Sequence, residues 1–366
     1  MNDRDSHHLA HALALAHDAI GLTEPNPRVG CVLADAQGVE IGSGHTQAAG
    51  DAHAEVMALR SAQAASRDLR GASAYVSLEP CSHHGRTPPC CDALIAAGVA
   101  RVVVGAVDPN PLVAGQGIER LRAAGIEVVL AREEVAAQVR ELNIGFFSRM
   151  QRGRPWVRMK IAASLDGRTA LGNGVSQWIT GEAARADGHA WRKRAGAVLT
   201  GIGTVLEDNP RLDVRLVSTP RQPLRVLVDS RLQLPDGARI AQPPGTLLVY
   251  AAGDAPRESA LKLRGIEVVH LPDANGKVDL EAMLRDLGAR GVNELHVEAG
   301  HKLNASLLKT GMVDELLVYL APLLLGDGRD MAALGPFSQL TEGLRYEFHD
   351  VRRVDADLRV LARPKP

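Results

Sequence analysis

Apolar residues near the start of the chain recur at the spacing of a helix. Leu9, Leu13, Ala16 and Ile20 fall on one helical face, and Gly21 follows as a residue suited to ending that helix. Short apolar runs typical of buried strands then occur at 29–33, 74–78, 101–107 and 126–130. Helical stretches separate these runs, and the alternation predicts a layered α/β domain.

A second series of elements begins after residues 149–155, where arginines, Gly153 and Pro155 interrupt the apolar periodicity. We therefore predict two α/β domains, at 1–150 and 151–366. Strands of the second are predicted at 157–163, 197–201, 224–228, 246–250, 266–271 and 294–297. Helical stretches alternate with them at 181–194, 279–290 and 302–309. This order predicts a largely parallel sheet with helices on both faces, to which the runs at 316–321 and 345–361 add antiparallel edge strands.

Composition and charge exclude several classes of protein. A chain of 366 residues with 45% hydrophobic side chains is long enough for two cores, and its net charge of -1 gives no bulk attraction to nucleic acid or to an anionic membrane. Four cysteines, three of them clustered, do not form a disulfide framework and suit a reducing cytoplasm. The first twenty residues lack the pattern of a secretory signal, and no stretch resembles a membrane span. We expect a cytoplasmic protein without nucleic-acid or membrane partners.

Candidate metal ligands stand out in the first domain. His53, Cys81 and Cys90 supply one imidazole and two thiolates, which leave tetrahedral Zn²⁺ a fourth position for water. A helix predicted to begin close to Asp51 carries His53 and Glu55 in its first turn. The Glu55 carboxylate is then available to take a proton from water and pass it to a leaving amine, as in zinc-dependent hydrolytic deaminases.

A closed structural zinc site is the alternative, and it needs a fourth protein ligand. His83, His84 and Cys91 are close enough in sequence to provide one. The position of Glu55 argues against this alternative, because a structural site has no use for that acid. Cys31 lies on an apparent buried strand and is interpreted as a small core residue.

The spacing of the two cysteines narrows the class of deaminase. Eight residues separate Cys81 from Cys90, where many deaminases have two. The segment 79–90 closely resembles the deaminase half of the bifunctional riboflavin-biosynthesis family, and the segments 25–30 and 53–56 also match it. This resemblance implies a cytidine-deaminase-like domain that acts on 2,5-diamino-6-(5-phosphoribosylamino)pyrimidin-4(3H)-one, a small pyrimidine ribotide.

The second domain offers a weaker chemical signal of its own. In the segment 297–306 a strand runs through a glycine turn into a helix, whose first N–H groups are suited to a phosphate, and Lys302 adds positive charge. The residues alone leave cofactor binding and an ordinary strand-to-helix connection equally open. The segments 163–170, 176–180, 204–210 and 297–300 resemble the reductase half of the same bifunctional family.

That resemblance implies a dihydrofolate-reductase-like domain that binds NADPH and converts the ribosyl group of 5-amino-6-(5-phosphoribosylamino)uracil to ribityl. The implied NADPH contacts are Ala162, Trp178, Thr204, Asp208, Ser230, Gly300, His301, Lys302, Leu303, Asn304, Ala305 and Ser306. The implied substrate contacts are Ser176, Arg192, Leu212, Arg215 and Glu298. Lys160 is a candidate catalytic residue, or else a solubilising residue on an edge strand. The family comparison also implies a homo-oligomer formed through the reductase domain.

Two rival functions use the same zinc residues. A nucleic-acid-editing deaminase shares the His-x-Glu and Pro-Cys pattern, but the near-neutral charge, the long cysteine spacing and the second domain argue against it. A non-enzymatic binding protein with a structural zinc is the other rival. A fourth protein ligand would support it, and an open coordination position would exclude it.

Overall fold

The structure is a computed structural model, and it describes residues 1–83, 88–111, 113–242, 244–253 and 255–365. The chain divides into two compact units, Met1–Gly153 and Arg154–Pro366. No helix within the described ranges combines the length and the apolar character that crossing a membrane requires.

The N-terminal unit is built on a five-stranded sheet in the order β2-β1-β3-β4-β5. The central pair β3 and β4 and the pair β4 and β5 are parallel, whereas β1 runs antiparallel to both its neighbours. Its elements are α1 (Asp3–Asp18), β1 (Gly30–Ala34), β2 (Glu40–His45), α2 (Ala54–Ala64), β3 (Ser73–Val76), α3 (Cys90–Ala96), β4 (Arg101–Val104), α4 (Gln116–Ala123), β5 (Glu127–Leu130), α5 (Glu133–Leu142) and α6 (Ile144–Arg152).

Helices cover both faces of this sheet because successive side chains of its buried strands point to opposite sides. Cys31 of β1 belongs to a cluster that contains Ala58 of α2 and Leu94 of α3. The next residue, Val32, belongs to a cluster on the other face with Leu9 of α1. The layered α/β prediction is therefore confirmed, and Cys31 is a core residue as expected.

Strand β2 was not predicted, because glycines break its apolar pattern. Gly42 and Gly44 lie where α2 approaches most closely: a Cβ on Gly42 would come within 2.5 Å of the Ala58 carbonyl oxygen, and one on Gly44 within 2.5 Å of the Met57 Cβ. The glycines let α2 pack directly on β2. This contact holds the helix that has His53 as its N-cap and Glu55 in its first turn.

The C-terminal unit has a nine-stranded sheet in the order β11-β10-β9-β8-β12-β6-β13-β16-β15 and a two-stranded sheet, β14-β7. Its strands are β6 (Trp156–Ser164), β7 (Arg168–Leu171), β8 (Ala197–Gly201), β9 (Leu224–Val228), β10 (Leu247–Ala251), β11 (Glu267–His270), β12 (Glu294–Val297), β13 (Glu315–Ala321), β14 (Gly328–Asp330), β15 (Tyr346–Val354) and β16 (Asp357–Pro364). Its α-helices are α7 (Glu182–Arg194), α8 (Ile202–Asp208), α9 (Ala255–Leu263), α10 (Leu280–Ala289) and α11 (His301–Lys309). Short 3₁₀ helices occur at Arg239–Ala241 and Leu340–Glu342.

The large sheet is parallel from β11 to β13, and the pairs β13–β16 and β16–β15 are antiparallel. Leu199 of β8 shares a cluster with Leu287 of α10 and Leu307 of α11. Val198 shares a cluster on the other face with Leu261 of α9. The predicted parallel sheet with helices on both faces is confirmed.

The expectation for residues 316–321 was wrong. β13 is an interior strand, parallel to β6 along its whole length and antiparallel only to β16. Its two neighbours come from opposite ends of the domain, β6 from the start and β16 from the end, so its place in the sheet could not be predicted from the local pattern. β15 is the antiparallel edge strand instead.

A buried layer of charges fixes α7 on this sheet. Arg158 of β6 donates to Glu294 of β12 at 2.7 Å and to Glu315 of β13 at 2.5 Å, and Arg194 of α7 donates to Glu294 at 2.8 Å. The Arg158 guanidinium also lies 4.3 Å from the ring centre of Trp191. Removal of any one partner leaves a buried charge uncompensated, so this layer holds α7 firmly in place.

Candidate active sites

The three predicted metal ligands come together in the N-terminal unit. His53 is the N-cap residue of α2, Cys81 lies in the loop after β3, and Cys90 is the first residue of α3. The His53 Nδ1 lies 3.4 Å from the Cys90 Sγ and 3.7 Å from the Cys81 Sγ. These three ligand atoms all lie within 4.8 Å of one another.

The distances fit zinc. With Zn–S and Zn–N bonds of about 2.3 and 2.0 Å, a tetrahedral site separates its sulfur and nitrogen ligands by roughly 3.5 Å. The Cys90 N–H also donates to the Cys81 Sγ at 3.4 Å, and hydrogen bonding from Cys90 and from His53 lowers the pKa of the Cys81 thiol to about 4. A thiolate is the form that binds a metal. The group therefore has the chemistry and the spacing of a zinc site.

The candidates for a fourth protein ligand do not join this group. The Cys91 thiol points away and donates to the Pro80 carbonyl at 3.3 Å and to the Gly117 carbonyl at 3.5 Å. His83 is exposed, and His84 lies outside the described residues. Among the residues that the structure describes, the group contains three ligands, which is the number found in catalytic zinc sites.

Glu55 lies in the first turn of α2, two residues after His53, and is only 3% exposed. Burial raises the pKa of Glu55 to about 7, the Cys81 thiolate adds to this effect, and His53 opposes it. A carboxyl group that changes protonation state near neutral pH is suited to both accepting and releasing a proton.

Glu79 fixes the loop that carries Cys81, a role that the sequence did not reveal. Its buried carboxylate accepts four backbone N–H groups: those of Gly117 and Ile118 at 2.9 and 3.2 Å, and those of Gly115 and Asp108 at 3.0 and 3.2 Å. Three of these belong to the start of α4, where a negative charge is stabilised. The only sequence signal for this role is a carboxylate immediately before Pro80.

Five of the predicted reductase residues surround one cavity of about 560 Å³ in the C-terminal unit. They are Lys160, Trp178, Arg192, Arg215 and Glu298. The strands β6 and β12, which carry Lys160 and lead into Glu298, are neighbours in the sheet. Arg192 lies in the last turn of α7, and Arg215 lies in the loop between α8 and β9.

An ion pair between Arg192 and Glu298 forms one wall of this cavity. The Arg192 Nε and Nη2 atoms both donate to the Glu298 carboxylate, the second at 2.9 Å, and the Nη1 atom donates to the Asp213 carbonyl at 2.9 Å. The Lys160 Nζ lies 3.7 Å from Glu298.

The charges in this wall shift the pKa values of two of its residues. Desolvation acts to raise the pKa of Glu298, but Arg192 and Lys160 hold that pKa well below its usual range. Desolvation lowers the pKa of Lys160. The positive charge of Arg192 lowers it further, and the negative charge of Glu298 acts to raise it. Lys160 lies on an interior strand, so it is not an edge-strand residue.

The cavity also contains His189, which sequence analysis missed. A histidine in the middle of a predicted helix carries no signal by itself. Its relation to the cavity is known only from the structure. His189 lies one turn before Arg192, on the face of α7 that lines the cavity.

The other predicted reductase residues lie outside this cavity. Ser176 Oγ donates to the Asp208 carboxylate at 3.3 Å, which brings an expected substrate contact and an expected cofactor contact together. Gly300, the N-cap of α11, lies against Thr204 of α8: a Cβ on Gly300 would be 3.5 Å from the Thr204 Oγ1. Both helices follow neighbouring strands, β8 and β12, at the same edge of the sheet.

Several of the remaining predicted residues are limited in what they can contact. The Leu212, Asn304 and Ala305 side chains are buried, at 3%, 2% and 4% exposure, so any ligand contact there uses the backbone. Lys302 and Ser306 are exposed, and His301 and Leu303 are half-buried. Ala162 lies half-buried in the middle of β6, and the Ser230 hydroxyl accepts the Val278 N–H at 3.2 Å beyond the end of β9.

Two family models match separate parts of the chain. The cytidine and deoxycytidylate deaminase zinc-binding region matches residues 2–106, and the RibD C-terminal domain matches residues 155–360. Riboflavin biosynthesis protein RibD of Escherichia coli is 43% identical over 368 residues, with 97% of this chain and 98% of that protein covered. The Aquifex aeolicus protein of the same name is 39% identical, with 97% of each chain covered.

Solved structures show the same similarity. The structure of Acinetobacter baumannii RibD, form 1, has a TM-score of 0.90 and 40% identity, and 99% of each chain is covered. A Thermotoga maritima diaminohydroxyphosphoribosylaminopyrimidine deaminase/5-amino-6-(5-phosphoribosylamino)uracil reductase has a TM-score of 0.88 and 34% identity, again with 99% of each chain covered. The predicted family and the two-domain α/β fold are therefore confirmed. The chain belongs to the riboflavin biosynthesis protein RibD family, whose members combine a zinc-binding deaminase domain with a reductase domain.

Proposed function

We propose that the N-terminal unit deaminates 2,5-diamino-6-(5-phosphoribosylamino)pyrimidin-4(3H)-one to 5-amino-6-(5-phosphoribosylamino)uracil. We propose that the C-terminal unit then uses NADPH to reduce the ribosyl group of this product to ribityl. The observation that carries the first half is the placement of the buried Glu55 beside three ligand atoms at zinc spacing. The similarity to the Thermotoga maritima deaminase/reductase supports the choice of substrate.

In the deamination, Glu55 is the residue that moves protons. Zinc, when held by His53, Cys81 and Cys90, supplies a Lewis acid that lowers the pKa of water towards neutrality. Glu55 accepts a proton from the attacking water and delivers it to the pyrimidine ring nitrogen. It then moves the remaining proton of the added hydroxyl group to the departing amine, so that the C–NH₂ group and water become a C=O group and ammonia.

In the reduction, the cavity around Glu298 holds the ribotide. Opening of the ribosylamine gives the ring oxygen a proton and leaves a C=N bond at C1′. NADPH, when bound, supplies hydride to that carbon. We propose that Lys160 and Glu298 orient the ribose oxygens and that Lys160 provides the proton taken up by the nitrogen. Arg192 and Arg215 attract the phosphate, since guanidinium groups suit phosphate oxygens.

We propose that NADPH binds across the edge of the sheet where β8 and β12 end. Gly300, the N-cap of α11, has no side chain to cap the helix, which leaves the first N–H groups of α11 available to a phosphate. Thr204 lies against this turn, and the exposed Lys302 adds positive charge. The residues present therefore suit a dinucleotide, with Ala162, Trp178, Asp208 and Ser230 as further contacts.

We propose a cytoplasmic location for the protein and assembly through the reductase unit. All four cysteines are free, and two of them serve as metal ligands only when reduced, which supports a cytoplasmic location. Assembly through the reductase unit is supported by exposed apolar residues on the edge strand β15, where Phe348 and Val351 are 78% and 52% exposed. The molecular mass in solution tests this assembly.

The identities of the products test the proposed function. The protein is incubated with the diaminopyrimidine ribotide, with and without NADPH, and the products are identified by mass spectrometry. Without NADPH we expect the replacement of one amine by oxygen. With NADPH we expect a further gain of two hydrogens in the sugar. An unchanged ribotide in both reactions would contradict the proposal.

A further inference from the structure

His189 lines the reductase cavity, and one nitrogen of its ring is bonded to the protein backbone. The residue is only 4% exposed and lines the cavity with Arg192, Arg215 and Glu298. Its Nδ1 atom accepts the backbone N–H of Arg215, with 3.1 Å between the two nitrogens. The ring is therefore fixed by a bond to the loop that carries one of the predicted phosphate-binding arginines.

That bond decides which ring nitrogen carries the proton. A backbone N–H is always a donor, so Nδ1 is the acceptor, and in the neutral ring the hydrogen is on Nε2. Nε2 lies 3.4 Å from the Nη1 atom of Arg192, which is also a donor. Two donors cannot bond to each other, so in this tautomer the contact is not a hydrogen bond. An oxygen acceptor that receives both N–H groups would relieve it.

The charges around the ring favour an anionic acceptor. Four basic side chains line the cavity, namely Lys160, Arg185, Arg192 and Arg215, against the two acids Glu182 and Glu298. A third acid, Asp213, pairs with Arg215 at 2.7 Å, so the basic groups still outnumber the acids. Burial, together with Arg192 and Arg215, lowers the pKa of His189 to about 4, although Glu298 and the nearby Asp213 oppose the shift. The ring is neutral near pH 7 and acts there as a hydrogen-bond donor without a charge.

We propose that His189 is a substrate-binding residue of the reductase cavity, whose Nε2–H donates to a phosphate oxygen of the ribotide beside Arg192 and Arg215. The inference rests on the proposed function, because the phosphate belongs to the proposed substrate. It adds a specific contact: the ring joins the Arg215 backbone on one side to the bound phosphate on the other. His189 thus both positions the Arg215 loop and binds the ligand.

Two substitutions separate these roles. In His189→Asn the side-chain oxygen takes the place of Nδ1 and keeps the bond to Arg215, but the Nε2–H is lost. In His189→Gln the longer amide places a donor near the position of Nε2. His270→Asn is the matched control, since His270 is a histidine on β11 whose Nε2 pairs with Glu258 at 2.8 Å.

The test compares the reductase KM for the phosphorylated substrate with that for the same compound lacking its phosphate. A hydrogen bond to a charged group predicts that His189→Asn raises the KM for the phosphorylated substrate by roughly ten- to a hundredfold. The KM for the dephosphorylated compound and for NADPH should not change, and His189→Gln should recover much of the loss. An equal rise for both compounds, or a rise for NADPH instead, would overturn the phosphate contact.

A binding measurement keeps the inference separate from the proposed function. Ribose 5-phosphate is titrated into the full-length protein by calorimetry, with thermal unfolding of each variant measured in parallel. Weaker binding to His189→Asn than to the wild type and to His270→Asn, at similar thermal stability, supports the contact even if the ribotide is not reduced. Equal binding to all three proteins would show that His189 does not contact the phosphate, whatever the reaction proves to be.

Discussion

The Glu79 carboxylate accepts the backbone N–H of Gly117 at 2.9 Å, across 38 residues of sequence. This bond ties the loop before Cys81 to the start of α4. Gly117 is required at that point, because a Cβ there would come within 2.1 Å of the Pro80 carbonyl oxygen. The position of one metal ligand therefore depends on a carboxylate that is not itself a ligand.

Replacement of Glu79 by glutamine should loosen the zinc site. The amide keeps one oxygen but turns an NH₂ group towards backbone N–H groups, so at least two buried donors lose their acceptor. We expect a loss of about 2–4 kcal/mol in the free energy of unfolding. Zinc should also be removed at a lower chelator concentration, as followed by metal analysis. Glu119→Gln, an exposed change on the same helix, is the control. Equal zinc retention in both variants would contradict this positioning role.

Zinc removal should separate the two activities. Because His53, Cys81 and Cys90 belong to the N-terminal unit, a chelator should abolish ammonia release and restored zinc should recover it. NADPH oxidation with the deaminated ribotide should persist in the same metal-free sample. Loss of both activities at equal chelator concentration would show that the metal also supports the reductase.

An ion pair between Asp5 of α1 and Arg101 of β4 makes the stability of the fold depend on pH. Asp5 accepts two bonds from Arg101 at 2.7 and 3.0 Å, and these bonds lower the pKa of Asp5. The pair stabilises the fold above the unfolded-state pKa of about 4, and its contribution is lost as the pH falls through the lower folded-state pKa. Asp5→Asn should cost about 1–3 kcal/mol at neutral pH.

The measurement is the unfolding temperature of both proteins as a function of pH. Their difference should stay constant from neutral pH down to about 4 and shrink below it. Asp3→Asn, an exposed change in the same turn of α1, should show no such difference. A gap between wild type and Asp5→Asn that persists at the lowest pH would rule out the ion pair as its cause.

The pair between Glu298 and Arg192 should matter for the reductase alone. Glu298→Gln removes the buried carboxylate that faces Arg192 and Lys160, and we expect the reductase kcat/KM to fall about a hundredfold. Ammonia release in the first step should be unchanged. Glu182→Gln is the control, because this acid also lines the cavity but its side chain is 96% exposed. Similar reductase kinetics for the two variants would argue against a role for Glu298.

The zinc group was predictable because its signal is local in sequence and chemically specific. His53 with Glu55 two residues later, and a Pro-Cys pair before a second cysteine, point to one metal whatever the surrounding fold. Glu79 and His189 were missed, since each acts through partners from distant segments. Their bonds to Gly117 and to the Arg215 backbone exist only once α4 and the loop after α8 are in place.

The same distinction applies to the fold. The parallel strands were predictable as continuous apolar runs, and Ala197–Gly201 and Leu224–Val228 have the bounds expected from the sequence. β2 was hidden because Gly42 and Gly44 interrupt its pattern where α2 packs on them. β13 was misplaced, because strand order in a sheet depends on long-range pairing, here with β6 at the other end of the domain.

We expect two separate sites in one chain, with Glu55 as the proton carrier of the first. The most direct measurement is the reaction of Glu55→Gln with each ribotide, followed by mass spectrometry and metal analysis. We expect this variant to keep its zinc and to lose deamination by a factor of about a hundred to ten thousand. It should still reduce the deaminated ribotide with NADPH at the wild-type rate. Full deaminase activity in this variant would contradict the account.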